Sequence, residues 1–576
     1  MKCPLKVFLI ISFTTCLANA EDIKPLVLPW LNITSSVSEK VQKFLDSSDE
    51  NADAKSIKTS DKHDVLGRTV TSTNMFVAKP KSIENKMNVR VSYRDIPEFE
   101  GQPIFARYES NQAKIFLNDS LISSQEYFEK IKDFENIKIN PNYGFTKEMT
   151  ADEIKSLLNS NAKVLIQEDS DVNPLLANST SNPVPFSSVL GLSEISQYAH
   201  ANGYNGSGIN VYFSEIDCPN TSYINQSKFH QYKTNCSGNI GAHATAMTKI
   251  FQMTAPQAML SQFNQGQNPT PVYNGVRFDI GFHSENVSGN QGYLDEDEIL
   301  DNYIFNGGVT VFVSAGNQYN SSGTYYVSSP AKALNAISVG AVSAATGLYE
   351  SYSRRTNSNI GNQKPEILNY TNFNFPYSAS FTDSYNNVYN GVFSGTSSAT
   401  AYTAGLMADI LHQHPFFKQH PEMVKALLIT GSTQSVSNYT FDADNYTMAA
   451  RAVPLYPSLA WNTRSAYWNG SNSDFFVGDS ISFNESGIVA GKRYRIAIAW
   501  LMPGTYVNVN KTVSQDIDLY VYQDGHLVAS SASAKNPFEV VDFIASSSSD
   551  LRVKIYRYAN SGVGGVKLGY NMWIGY

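Results

Sequence analysis

The chain has 576 residues, 42% hydrophobic and 16% charged, with a formal net charge of −8. That composition excludes overall disorder and supplies apolar surface for two or three separate cores. Mild acidity without a basic cluster excludes nucleic acid as the expected partner.

Residues 1–20 combine Lys2 and Lys6, an apolar stretch over 7–13 and the ending Ala18-Asn19-Ala20, the pattern of a cleavable secretory signal. No later stretch has the roughly 18 uninterrupted apolar residues of a membrane span, so the expected location is outside the cell or in a periplasm. Cys218 and Cys236 are the cysteines left after the signal, which predicts one disulfide. Two cysteines make no zinc site, and no His-x-x-x-His spacing supplements them. Asn-x-Ser/Thr triplets at Asn32, Asn118, Asn178, Asn369, Asn438 and Asn510 matter only for a glycosylating host.

Residues 21–180 read as one region. Residues 35–73 are polar and read as a mobile leader. Strands follow over 87–93 and 113–117, and a helix over 125–134. Thr150 and Glu153 form a capping box for a helix with the apolar stripe Ile154, Leu157 and Leu158, and residues 162–168 read as a strand. This small α+β unit ends at a linker over 173–185.

From 181 to 445 strands and helices alternate: strands at 209–213, 278–282, 309–313 and 336–342, helices at 243–252 and 295–305. Such alternation predicts a parallel α/β sheet covered on both faces. Residues 446–576 carry short alternating runs, as in Arg493-Tyr-Arg-Ile-Ala-Ile-Ala-Trp500, which predict an antiparallel β-sandwich. The acidic run 295–298 suits a helix start, whose dipole favours carboxylates. Asp516 and Asp518 share one face of a strand and are expected to meet solvent, with structural calcium as the alternative there and at 295–298.

The motifs that carry chemistry lie in the middle region. Gly395-Thr396-Ser397-Ser398-Ala399 leads into an apolar helix with Ala404-Gly405. A serine is a poor nucleophile unless a base and a positive helix start assist it. This run resembles the nucleophile motif of the subtilisin-like serine peptidases, with Ser397 in the nucleophile's place. Val309 to Asn317, ending Ala-Gly-Asn, resembles the strand whose asparagine donates to the oxyanion, and Gly241-Ala242-His243-Ala244-Thr245, followed by Ala255-Pro256, resembles the histidine helix. Residues 336–342 and Gln363-Lys364-Pro365-Glu366-Ile367 are similar to further family landmarks. The resemblance spans about 185–433 in the order acid, His, Ser.

The acid departs from the family pattern. The family's strand lies over Ile209-Asn-Val-Tyr-Phe-Ser-Glu215, which places Glu215 where aspartate is usual; Asp217 is its rival, and register favours Glu215. Other departures are Ala244 for glycine, Ala246 for a second histidine and Ala401 for proline. The resemblance implies an α/β subtilisin-like catalytic domain, a propeptide-like α+β domain that acts as intramolecular inhibitor, and a jelly-roll-like C-terminal sandwich. It implies a serine endopeptidase that needs no cofactor for its chemistry and acts on proteins or peptides. Gly281 and Phe282, with Ser314 and Ala315, align with the walls of the first specificity pocket, Phe282 reading equally as core. The rival function is a catalytically inactive scaffold that serves as a secreted binding protein.

Overall fold

The computed structural model describes most of residues 183–575, apart from stretches of which 433–452 is the longest, and separate segments between 36 and 174. The expected signal and the helix at 125–134 lie outside the described residues. The chain divides into two compact units, one of residues 30–104 and 124–170, the other holding the described residues of 105–123 and 171–576.

In the smaller unit a five-stranded sheet contains β1 (Ser36–Val37), β2 (Lys86–Asp95), β3 (Lys138–Asn140), β4 (Gly144–Thr150) and β5 (Lys163–Glu168), in the order β1-β5-β2-β4-β3. Helix α1 (Ala151–Leu158) starts at the predicted capping box: Glu153 N donates to Thr150 Oγ1 at 3.2 Å, and Thr150 N donates to Glu153 Oε2 at 2.8 Å. Of the expected leader over 35–73, residues 47–73 lie outside the described residues; at its start the expectation is corrected, because Ser36 and Val37 pair in parallel with Leu165 and Ile166, and Leu45 is buried. A two-residue strand is too short to show alternation.

The larger unit centres on a seven-stranded sheet. Its strands are β6 (Asn210–Glu215), β7 (Phe229–Gln231), β8 (Met259–Asn264), β9 (Ile280–His283), β10 (Thr310–Ser314), β11 (Ile337–Ser343) and β12 (Ile367–Thr371). All pair in parallel, in the order β7-β8-β6-β9-β10-β11-β12. Covering helices are α2 (Ala242–Thr254), α3 (Asp295–Gly307), α4 (Thr396–Gln413) and α5 (Pro421–Gly431). Burial on both faces explains the apolar strand sequences. Phe282 stands between Phe213 and Phe251, at ring-centroid distances of 5.2 and 6.0 Å, so its aromatic surface fills the core between sheet and α2.

The acidic run does open α3, where Leu294 N donates to Asp297 Oδ2 at 2.8 Å. Asp297 of the run and Asp301, one turn further along α3, are buried: Asp297 accepts from Ser329, and Asp301 accepts from Leu334 N and Asn335 N. The Lys364-Pro365-Glu366 motif also turns inward. Glu366 meets Lys364 at 2.7 Å and Lys425 of α5 at 3.2 Å, each fully or almost fully buried. Burial alone would raise the Glu366 carboxyl, yet the two lysines hold it below its ordinary value.

Two four-stranded antiparallel sheets form the C-terminal sandwich. One has the order β13-β20-β15-β18, from Thr463–Ser471 (β13), Arg493–Trp500 (β15), Phe538–Ile544 (β18) and Gly565–Ile574 (β20). The other has the order β14-β19-β16-β17, from Ser480–Glu485 (β14), Gln515–Gln523 (β16), His526–Ser531 (β17) and Leu551–Asn560 (β19). Helix α5 packs on β20, β15 and β13. Arg495 Nη1 donates to Thr430 O at 2.7 Å and to Ser432 O, and Asn335 exchanges hydrogen bonds with the backbone of Met502. Asp518, expected to meet solvent, is buried and accepts from Tyr520 Oη at 3.0 Å. Asn369 is likewise buried, its amide donating to Thr403 Oγ1 at 2.9 Å, so this triplet is part of the core.

Candidate active site

The carboxyl ends of the central parallel strands converge, as ligand sites of open α/β sheets do. Glu215 ends β6, Ser284 follows β9 and Asn317 follows β10, while His243 and Ser397 stand in the first turns of α2 and α4. All five are buried.

Glu215 Oε2 accepts from His243 Nδ1 at 2.7 Å and from Ser284 Oγ at 2.9 Å; its Oε1 accepts from Ile216 N at 2.9 Å. A proton held on Nδ1 leaves Nε2 as the basic nitrogen of the neutral ring. Burial would raise the Glu215 carboxyl, but the charge and hydrogen bond of His243, with the Ile216 and Ser284 donors, hold it below its ordinary value. Ser397 Oγ donates to the Ser284 carbonyl at 2.7 Å. Ser284 therefore touches both the carboxylate and the serine.

Asp217 faces elsewhere. Its Oδ1 accepts from Ala244 N at 3.2 Å, while Asp383 Oδ2 accepts from Ala242 N at 3.1 Å. Two carboxylates thus serve the start of α2, whose N-cap position is Gly241 and has no side chain of its own to give. Burial and the Glu215 charge push the Asp217 carboxyl up to about 7, against the His243 charge and the Ala244 amide. Cys218, the next residue, is bonded to Cys236, and Gly241 N donates to Cys218 O at 2.9 Å. The disulfide loop ties the end of the acid strand to the start of the histidine helix.

Asn317 Oδ1 accepts from Thr396 N at 3.0 Å and Thr396 Oγ1 at 3.1 Å; Thr396 Oγ1 also accepts from Gly316 N at 3.2 Å. With its oxygen so engaged, the Asn317 amide offers Nδ2 as its donor end. Of the expected pocket residues, Gly281 is covered by the Tyr212 ring, Phe282 lies in the core, and Ser314 and Ala315 are buried at the end of β10. Among the described residues no group of three or more His, Cys, Asp or Glu is arranged to hold a metal ion. Nor is any described helix long and apolar enough to cross a membrane. Sequence reasoning missed Ser284, Thr396 and Asp383, of which Ser284 acts partly through a main-chain carbonyl that no side-chain motif records.

Residues 226–449 match the sequence profile of the subtilase family. The matched segment contains His243, Asn317 and Ser397; Glu215 and Asp217 precede it. Among solved structures, the chain is similar to the serine protease of Aeromonas sobria, with TM-score 0.35 and 14% identity over 66% of this chain and 90% of that one. The same protease in complex with the chaperone ORF2 gives TM-score 0.34 and 13% identity over the same shares. No curated protein matches the chain.

Proposed function

We propose that this protein is a subtilisin-like, secreted serine endopeptidase that cleaves peptide bonds through an acyl-enzyme. The observation that carries the proposal is the continuous contact from His243 through Glu215 and Ser284 to Ser397. Ser397 Oγ attacks the scissile carbonyl carbon as its proton passes to His243 Nε2, and Glu215 stabilises the imidazolium. The oxyanion is held by Asn317 Nδ2 and the Ser397 backbone N–H at the positive end of α4. His243 then gives its proton to the leaving amine, and a water, activated by the same nitrogen, releases the acyl group. Asp217 supports the α2 start.

The N-terminal unit is assigned the role of an inhibitory, fold-assisting propeptide, with maturation in the 173–185 linker; support comes from its separate compact sheet. Secretion is supported by the leader pattern and the Cys218–Cys236 bond.

The test treats purified, processed protein with a serine-directed phosphonate and locates the adduct by peptide mass. An adduct on Ser397 that disappears in His243→Ala and weakens in Glu215→Gln is expected. A folded, processed chain that gives no adduct would refute the peptidase reading and favour a binding scaffold.

A further inference from the structure

Gly395, just before the nucleophile turn, has its backbone gripped from both sides. Gly395 has φ 111° and ψ 163°, a conformation that L side chains rarely adopt. Its N–H donates to Tyr352 Oη at 2.9 Å. Its carbonyl accepts from Thr371 Oγ1 at 3.1 Å and from Ser398 Oγ at 2.8 Å. Thr371 Oγ1 and Ser398 Oγ lie 2.8 Å apart, and the Tyr352 hydroxyl is itself hydrogen-bonded to Thr371.

Tyr352 belongs to a segment that also braces the oxyanion residue. Ser353 forms a β-bridge with Asn317, and Arg354 N donates to Gly316 O at 2.9 Å. One short segment therefore holds both Asn317 and the loop that presents Ser397. Burial raises the Tyr352 phenol above its ordinary value, so the hydroxyl stays protonated at working pH.

We propose that Tyr352 and Thr371 are positioning residues of the nucleophile, their hydroxyls fixing the backbone on either side of the Gly395 Cα and, through it, the placement of Ser397 relative to Asn317. The proposal rests on the peptidase reading above. Neither hydroxyl touches the reacting atoms. Each acts through a backbone group whose tilt sets where α4 begins, and a small misplacement of a reacting atom is costly in rate.

The experiment compares full-length, processed wild type with Tyr352→Phe, Thr371→Val, Thr371→Ser and the Phe/Val double variant. It reads the rate of Ser397 modification by a fluorophosphonate, kcat and KM on dye-labelled casein, and Tm. Loss of a backbone hydrogen bond predicts that Tyr352→Phe and Thr371→Val each slow labelling and kcat about tenfold, with KM within about twofold. Thr371→Ser keeps the hydroxyl and restores the rate. The double variant loses less than the product of the single losses, because both hydroxyls hold the backbone of one residue, Gly395. Wild-type labelling rates in Tyr352→Phe and Thr371→Val would overturn the positioning role alone, as would a loss that Thr371→Ser fails to restore. A processed wild type that takes no label overturns the peptidase reading instead. Tyr352→Phe removes one oxygen atom and carries the test if Thr371→Val does not fold.

Discussion

Replacing Asp217 with asparagine keeps the shape of the side chain and an acceptor for the Ala244 amide while removing a buried acid. Burial and the Glu215 charge raise this carboxyl from its ordinary 3.8 to about 7. A raised carboxyl contributes stability below its unfolded pKa and loses that contribution as pH climbs through the folded pKa. Across the whole span the loss amounts to about 4 kcal/mol at most, at roughly 1.4 kcal/mol per pH unit. About 2 kcal/mol of it falls between pH 5 and 7. The replacement amide does not titrate, so the stability of Asp217→Asn relative to wild type should rise over that interval, whatever the offset at pH 5. Denaturant midpoints of both proteins at pH 5, 6, 7 and 8 measure this. A difference between the two that stays constant with pH would refute the assignment of Asp217 as a buried, strained carboxyl at the α2 start.

Other expectations concern the site and the joint between its domains. Glu215→Gln should lower kcat/KM by about 10³–10⁴-fold, because an amide neither holds the imidazole tautomer nor balances its charge. Asp217→Asn should cost far less, and steady-state kinetics on one peptide substrate compares the two. Asn317→Ala should reduce kcat by about 10²–10³-fold with KM little changed. Cys218→Ser with Cys236→Ser should lose about 3 kcal/mol in denaturant unfolding, from the sequence separation of 18 that the bond closes. Arg495→Met strips a buried cation from the Thr430 and Ser432 carbonyls and from Asp542. It should destabilise by about 3 kcal/mol, read from the same midpoints.

Much of the candidate site was legible because its residues sit in short runs of small side chains at fixed places in the fold. Ser397 and His243 open helices, and Asn317 follows the end of a strand, so each is marked by the change of pattern around it. Glu215 was favoured over Asp217 by strand register alone, and the structure puts the Glu215 carboxylate on His243 and Asp217 on the Ala244 amide. What stayed hidden depends on contacts distant in sequence. Asp383 reaches Ala242 across a sequence separation of 141, and Tyr352 reaches Gly395 across 43. The strand β8 was missed because Met-Leu-Ser-Gln-Phe-Asn, at 259–264, has no clean alternation, although its middle is buried on both faces. Asp518 was expected in water because alternation tells which face a residue shares, not what later covers that face.

The joint at α5 also orders events in time. Strand β20 lies inside its sheet between β13 and β15, packs against α5, and follows both in the chain. A ribosome has therefore already released Glu215, His243 and Ser397 before the last of the three strands that cover α5 exists. Until residues 565–574 emerge, the α5 face is only partly covered, by β13 and β15, and their sheet lacks the strand between them. A chain that stops short of β20 would leave part of that face and the edges of β13 and β15 uncovered.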